Sequence, residues 1–322
     1  MINPHAAHPL LVEDTDLARA WGRVLVHVID NPGTAISPLV LSVTGFSNGK
    51  MPEGETPEGE TPEDPNIRAA LDAALASLGM QSVHTVANTI FPQSLWRLAG
   101  YDRQGLYAEY LANRSRYRAL APTKNGRGLY FERLIAYGEE GAPEGQLVNQ
   151  LEFILTQYNA RKGVRASMLQ ASTFDPTHDH TPAAQLGFPC LQHVSFVPVG
   201  DGTLAVNAFY ATQQLFDKAY GNYLGLCRLG HFMAHEMGLS LGRLNCFVGV
   251  EKLERVTKSA RAIDLVVGMV RRALETSSHG GSEPQFVSQH VRQDTGGRDD
   301  RGGSSGRANR ADSLARVTQG NG

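Results

Sequence analysis

The segment from Gly221 to Gly238 constrains the fold most, because almost every side of it is apolar. Its apolar and small residues are spaced to cover most of a helical surface: Leu224, Leu226, Cys227, Leu229, Gly230, Met233, Ala234 and Met237. A helix that is apolar nearly all round lies inside a protein. The sequence therefore predicts a buried central helix that other elements surround.

Shorter apolar and β-branched runs on both sides of this helix indicate strands and further helices. Strands are predicted at Ile36–Phe46, Val164–Ala171, Val194–Pro198, Thr203–Thr212 and Leu244–Val250. Helices are predicted from Leu17 to Val28 after the capping residues Asp14-Thr15-Asp16, and at Ile67–Leu78, Gln104–Ala119, Gln146–Asn159 and Val256–Leu274. The two types alternate without a regular βαβ rhythm, which favours an α+β fold with a mixed sheet.

Composition places the chain among ordinary globular proteins. It has 322 residues, 41% of them hydrophobic, and a net charge of −2, so no strong field gathers nucleic acid or an anionic membrane surface. Its three cysteines are odd in number and lack CxxC spacing, which fits a reducing compartment. No apolar run approaches the ~20 residues of a membrane span, and no export signal opens the chain. A cytoplasmic protein with no membrane or nucleic-acid partner is expected.

Two segments are too polar to belong to a core. Residues 50–66 contain an acidic repeat, Pro52-Glu53-Gly54-Glu55-Thr56 followed by Pro57-Glu58-Gly59-Glu60-Thr61, which predicts a solvated loop insertion. From Thr276 the chain is rich in glycine, serine and arginine, with six arginines, five acidic residues and one aromatic residue, Phe286. One domain over residues 1–275 and a disordered tail over 276–322 are predicted, and an RGG-like contact by the tail is an open but weaker alternative.

The sequence Phe188-Pro189-Cys190 precedes a predicted strand, and an ordered run of matching positions follows from Leu204 through Asn222 to Gly249. Together these residues resemble the catalytic half of thymidylate synthases and the related pyrimidine hydroxymethylases. The resemblance covers about residues 187–249, is weaker over 14–174 and is absent after about Leu253. It implies a mixed sheet with a long buried central helix and a homodimer.

The resemblance implies that the Cys190 thiolate adds to C6 of a pyrimidine nucleotide. C5 then becomes an enolate-like carbon able to attack 5,10-methylenetetrahydrofolate. Asn222 matches the asparagine whose amide reads a uracil-type ring edge. The alternative for Asn222 is a helix N-cap in the turn Tyr220-Gly221-Asn222, and the alternative for Cys190 is an inert buried cysteine.

Several polar positions of the family's site are replaced. Ala211 stands where the family has its phosphate-gripping arginine, Thr212 replaces the next serine, Gln214 replaces an aspartate, and Leu191 replaces the histidine after the nucleophile. Lys252 and Glu254 replace the histidine and tyrosine that hold the sugar. Gln93, in Phe91-Pro92-Gln93-Ser94-Leu95-Trp96, stands at the proton-shuttling glutamate, and an amide cannot exchange a proton at neutral pH.

Two arginines are candidate substitute cations for a phosphate. Arg165 resembles an arginine that crosses from the other subunit, and Arg133 resembles another phosphate-binding element loosely; surface or interface ion pairs are the alternative for both. Two sets of histidines have the spacing of metal ligands, His178-Asp179-His180 and the pair His231 and His235, but the sequence indicates no third ligand for either.

Three hypotheses follow from these residues. The first is one-carbon transfer to C5 of a uracil-type nucleotide with an altered substrate. The second is a hydroxymethylase, in which water ends the reaction. The third is a retired synthase that still binds a nucleotide or acts as a scaffold.

Overall fold

The apolar segment forms a long helix that is buried against both the sheet and the other helices. In the structure, a computed structural model that describes residues 8–46, 58–138, 147–180, 182 and 188–278, this helix is α11 (Tyr220–Glu236). A π-helical turn, Leu215–Ala219, leads into it. Gly221 faces α3 (Val83–Ala87) so closely that a Cβ there would lie 2.6 Å from the Val86 side chain. The predicted central helix is confirmed.

A seven-stranded mixed sheet packs against α11. Its strands are β1 (Leu10–Asp14), β2 (Ala35–Ile36), β3 (Leu39–Val43), β4 (Gln170–Ser172), β5 (Leu191–Pro198), β6 (Thr203–Gln214) and β7 (Ser240–Lys252). The order is β1-β3-β7-β6-β5-β4, with β2 paired to β7. The β1–β3 and β6–β7 pairs are parallel and the other pairs are antiparallel. This mixed sheet agrees with the predicted α+β class.

The chain forms ten further helices in the described residues. They are α1 (Leu17–Asp30), α2 (Pro65–Ser77), α4 (Gln93–Leu98), α5 (Arg103–Ala112), α6 (Arg114–Ala119), α7 (Pro122–Asn125), α8 (Tyr130–Ile135), α9 (Gln150–Ala160), α10 (Pro176–Asp179) and α12 (Arg261–Ser278). Helix α1 begins where Asp16 accepts a hydrogen bond from the Arg19 amide at 2.8 Å, as the capping residues predict. It contacts α2, α11 and α12, and α9 also contacts α11.

The sheet face opposite α11 is half-exposed and carries a regular row of polar side chains. Side chains form a hydrogen-bonded row across four strands: Ser42 Oγ donates to Asn245 at 2.9 Å, Asn245 to Asn207 at 2.8 Å, and Asn207 to Ser195 at 3.3 Å. Next to this row Phe209 stacks on Phe247, with ring centroids 5.5 Å apart and an interplanar angle of 18°. We call this surface the outer face.

The structure corrects three predicted elements. The helix predicted over Gln104–Ala119 is two helices, because Asn113 ends α5 and its amide turns back to the Glu109 carbonyl at 3.0 Å. Most of the strand predicted over Val164–Ala171 is irregular, with a 3-10 turn at Ala166–Met168. Helix α12 begins at Arg261, not Val256, and continues to Ser278.

Parts of the acidic repeat and of the tail, residues 50–57 and 279–322, lie outside the described residues. Among the helices that the structure describes, none combines the length and apolarity that crossing a bilayer requires.

Candidate active site

Cys190 lies immediately before β5, which begins beside the C-terminal end of β6; β7 pairs with the other edge of β6. The Ala211 amide donates to the Cys190 carbonyl at 3.1 Å, so the two residues are direct neighbours across β5 and β6. The cysteine is half-buried, whereas Cys227 and Cys246 are fully buried. Of the three thiols, Cys190 is therefore the one that a ligand can approach.

The groups around Cys190 shift the pKa of its thiol in opposite directions. Burial raises the pKa of its thiol above the ordinary value, and the negative charge of Glu254 raises it further. The hydroxyl of Tyr130, at the start of α8, lowers the pKa by stabilising the thiolate. This hydroxyl accepts the Leu191 amide at 3.4 Å, which leaves its own proton free for the sulfur. Burial is the largest of these effects, so the thiol is mostly protonated at neutral pH.

Three of the replaced polar positions lie together, and one of them, Glu254, is within electrostatic reach of this thiol. The Gln214 amide donates to Glu254 at 3.4 Å, and Lys252 pairs with the same carboxylate at 3.3 Å. Thr212 is exposed on β6, opposite Val250 of β7. Gln214, Lys252 and Glu254, three separate replacements in the sequence, form one small polar cluster in the structure.

Asn222 lies inside the first turns of α11, not at its cap. The N-cap position is Ala219, so the predicted N-cap alternative for Asn222 is wrong. Asn222 is only 5% exposed, and within the described part of the chain no side-chain hydrogen bond engages its amide. A nearly buried amide with open donor and acceptor capacity is suited to reading a polar ring edge.

Arg133 and Arg165 have different surroundings. Arg133 forms a two-pronged ion pair with the buried Asp179, at 2.7 and 2.9 Å, and also donates to the Thr173 carbonyl. Its charge is already compensated, in an internal ion pair and not in the surface or interface pair that was the alternative. Arg165 is exposed at the start of the 3-10 turn, away from any ion pair that the described residues could supply.

Gln93 is positioned by the acidic loop. Its amide donates to Glu58 at 3.2 Å, and the same carboxylate pairs with Arg97 at 2.6 Å. Helix α4 packs against Phe232 of α11 through Trp96, with ring centroids 5.2 Å apart. Phe232 lies ten residues beyond Asn222, about 15 Å along the helix axis. The described side-chain hydrogen bond of Gln93 is with Glu58, and its catalytic role stays a prediction.

The histidine pairs do not form a metal centre within the described ranges, which contain no group of three or more metal-ligating side chains. His231 is packed against Phe46, and burial lowers its pKa to about 4. His235 packs against Trp96.

Sequence reasoning missed Tyr130 and Glu251 as site residues. Tyr130 reaches Leu191 across 61 residues of sequence, and no local pattern indicates that contact. Glu251 directly follows the predicted strand Leu244–Val250, where an acidic residue indicates a solvated strand end; the structure buries it completely. No protein-family model matches this chain, and no curated protein matches it either.

Proposed function

We propose that this chain is a divergent protein with a thymidylate synthase-like fold that transfers a one-carbon unit to C5 of a uracil-type nucleotide through an adduct at Cys190. The observation that carries the proposal is the position of the thiol. It is half-buried at the start of β5 beside the end of β6, next to the Tyr130 hydroxyl and within electrostatic reach of Glu254, which forms a cluster with Gln214 and Lys252.

In this proposal Cys190 supplies the nucleophile and Asn222 orients the ring. Addition of the thiolate to C6 forms an S–C6 bond and moves the C5–C6 π electrons into an enolate, which makes C5 nucleophilic. Tyr130 donates a hydrogen bond to the thiolate before addition. Asn222 can donate to O4 and accept from N3–H of a uracil-type ring, whereas a cytosine would present the opposite pattern.

The second substrate in this proposal is 5,10-methylenetetrahydrofolate, and the described residues offer groups that fit it. Glu254 provides a carboxylate and Gln214 an amide, a pair suited to the amino and amide groups of a pterin edge. When bound, the reduced folate supplies the one-carbon unit.

The proposal includes a homodimer formed through the outer face. Phe209 and Phe247 are 37% and 41% exposed there, and they adjoin the hydrogen-bonded row on β3, β5, β6 and β7. An aromatic pair beside satisfied polar groups is typical of an interface centre. Arg165, exposed on each copy, is then a candidate cation for the other copy's nucleotide.

A second candidate is a retired nucleotide-binding or scaffold protein. The raised pKa of Cys190 and the alanine at position 211 favour it, because both leave little thiolate at neutral pH. In that case Asn222 and the polar cluster still hold a ligand, but no covalent step follows.

Release of tritium from C5-tritiated nucleotides and nucleosides separates the two candidates. The protein, Cys190→Ala and the matched control Cys227→Ala are incubated with uridine and deoxyuridine substrates, with and without methylenetetrahydrofolate. Release that persists in Cys227→Ala and stops in Cys190→Ala supports the enzyme, and the product distinguishes methyl from hydroxymethyl transfer. No release from any substrate, together with ligand binding that survives Cys190→Ala, supports the retired protein.

A further inference from the structure

A group of buried polar side chains lies behind Cys190, between β6, β7 and α11. It comprises Tyr210, Gln213, Tyr223 and Glu251, each at most 2% exposed. Gln213 and Glu251 are direct partners in the parallel β6–β7 pair. Both oxygens of Glu251, both amide atoms of Gln213 and both tyrosine hydroxyls are fully buried without a hydrogen-bond partner in the described part of the chain.

This arrangement is energetically unusual. Buried polar side-chain atoms are nearly always hydrogen-bonded, and each one left unpaired costs about 1–3 kcal/mol. Six such atoms in one place therefore destabilise the fold unless they serve another purpose. Buried groups of this kind near a candidate nucleophile are typical of acid–base sites.

Glu251 keeps a proton in these surroundings. Complete burial raises the pKa of its carboxyl well above the ordinary value, and the Tyr223 hydroxyl beside it offsets only part of that effect. No cation among the described residues pairs with it. A carboxyl of this kind is neutral under conditions where an exposed glutamate is charged, so it has a proton to give.

Tyr210 lies near both Glu251 and the thiol site. It is paired across the sheet with Leu191, the residue after Cys190. Its hydroxyl lies within electrostatic reach of Cys190, Tyr130 and Glu251, and the negative forms of all three raise its pKa together with burial.

We propose that Glu251 is the proton donor and acceptor for the Cys190 site and that it acts through the Tyr210 hydroxyl. This inference rests on the proposed function, because it supplies the acid that Gln93 cannot be. Glu254 is a poorer candidate, since its side chain is 43% exposed and paired with Lys252.

The proton transfer balances without another reactant. As the Cys190 thiolate adds to C6, the C5–C6 π pair forms a new C5–H bond with the proton that Tyr210 passes on from Glu251, which becomes a carboxylate. C5 of the adduct is now tetrahedral and carries both hydrogens, and after a change of ring pucker the carboxylate takes the original one through Tyr210. The C5–C6 double bond then forms again and the S–C6 bond breaks. The net result is exchange of the C5 hydrogen with solvent.

The test compares Glu251→Gln with the matched control Glu236→Gln. Glu236 ends α11 and is paired with Arg103 at 2.7 Å, outside the proposed site. Both substitutions exchange a carboxyl for an amide of similar size, but only the first removes the buried proton. We measure folate-independent tritium release from C5-tritiated substrates over a range of pH, and the rate at which iodoacetamide alkylates Cys190. We expect Glu251→Gln to slow release about 100-fold or more while alkylation stays within about twofold. Glu251→Asp should restore part of the rate, and Glu236→Gln should release at nearly the normal rate.

Two results overturn the inference separately from the proposed function. If Glu251→Gln releases tritium at the rate and with the pH profile of the unmodified protein, Glu251 is not the proton donor although Cys190 chemistry stands. If the unmodified protein shows no Cys190-dependent release, the proposed function fails and the acid role fails with it. Should Glu251→Gln not fold, Tyr210→Phe tests the same path, and an unchanged release rate in that variant refutes it.

Discussion

Replacing Tyr130 by phenylalanine should make Cys190 less reactive. The Tyr130 hydroxyl is the one described group that lowers the pKa of this thiol, while burial and Glu254 raise it. A hydrogen bond to a charged group contributes about 1.5–3 kcal/mol, and one pKa unit corresponds to about 1.4 kcal/mol. Tyr130→Phe removes that stabilisation from the thiolate alone, so we expect the pKa of Cys190 to rise further and the thiolate fraction below the pKa to fall roughly 10- to 100-fold.

The assay is the rate of iodoacetamide alkylation at Cys190, followed by mass spectrometry of its peptide as pH is raised. Below the pKa the rate follows the thiolate fraction, so the variant should react roughly 10- to 100-fold more slowly at a given pH. Cys227 and Cys246 are buried and should stay unlabelled in both proteins, which reports that the fold is intact.

The matched control is Tyr137→Phe. The Tyr137 hydroxyl donates to the Phe174 carbonyl at 3.1 Å and makes no contribution to the pKa of Cys190. Alkylation in this control should match the unmodified protein. An equal or faster rate in Tyr130→Phe, with melting temperature unchanged, would refute the assignment of Tyr130 as the group that stabilises the thiolate.

Three further predictions concern stability and assembly. His231 is buried, and burial lowers its pKa to about 4 from an unfolded value of 6.5. Its contribution to stability is therefore present above pH 6.5 and is lost as the pH falls toward 4. Between pH 7 and 5 the free energy of unfolding, measured with urea, should fall by about 2 kcal/mol more than in His231→Gln. Arg133→Gln leaves the fully buried Asp179 without its ion pair and should cost about 3–5 kcal/mol by the same method, less when Asp179→Asn is added. Phe209→Glu should convert the dimer to a monomer in sedimentation velocity, whereas Leu265→Glu, also at an exposed position, should not; a monomeric unmodified protein contradicts the dimer.

The part of the fold that could be predicted from sequence is the part specified locally. Gly221 to Gly238 is apolar over most of a helical surface, so burial of α11 follows from spacing alone, and the strands before and after it are marked by β-branched runs. The break at Asn113 was missed, because asparagine is tolerated in a helix and only its turn back to the Glu109 carbonyl reveals the end.

The candidate site is mostly specified by contacts between distant residues, which spacing does not reveal. Cys190 was predicted as the nucleophile, which stays a prediction. Of the three cysteines it is the half-buried one. Its neighbour Tyr130 comes from another helix. Gln93 could not be placed from sequence, because its position depends on a hydrogen bond to Glu58 in the acidic loop.

The charges around Cys190 bear on which substrate it can accept. A phosphate close to the thiol gains nothing from Ala211, meets the Glu254 carboxylate and finds the Arg133 charge already held by Asp179. Lys252 offsets Glu254 at 3.3 Å but is then engaged itself. Arg133 and Lys252 are thus both engaged, so under the proposed function a 5′-phosphate is expected to be held by another copy, where Arg165 is exposed, or to be missing from the substrate. Tritium release that is faster from nucleosides than from nucleotides would indicate the second arrangement, and release that depends on both the phosphate and Arg165 would indicate the first.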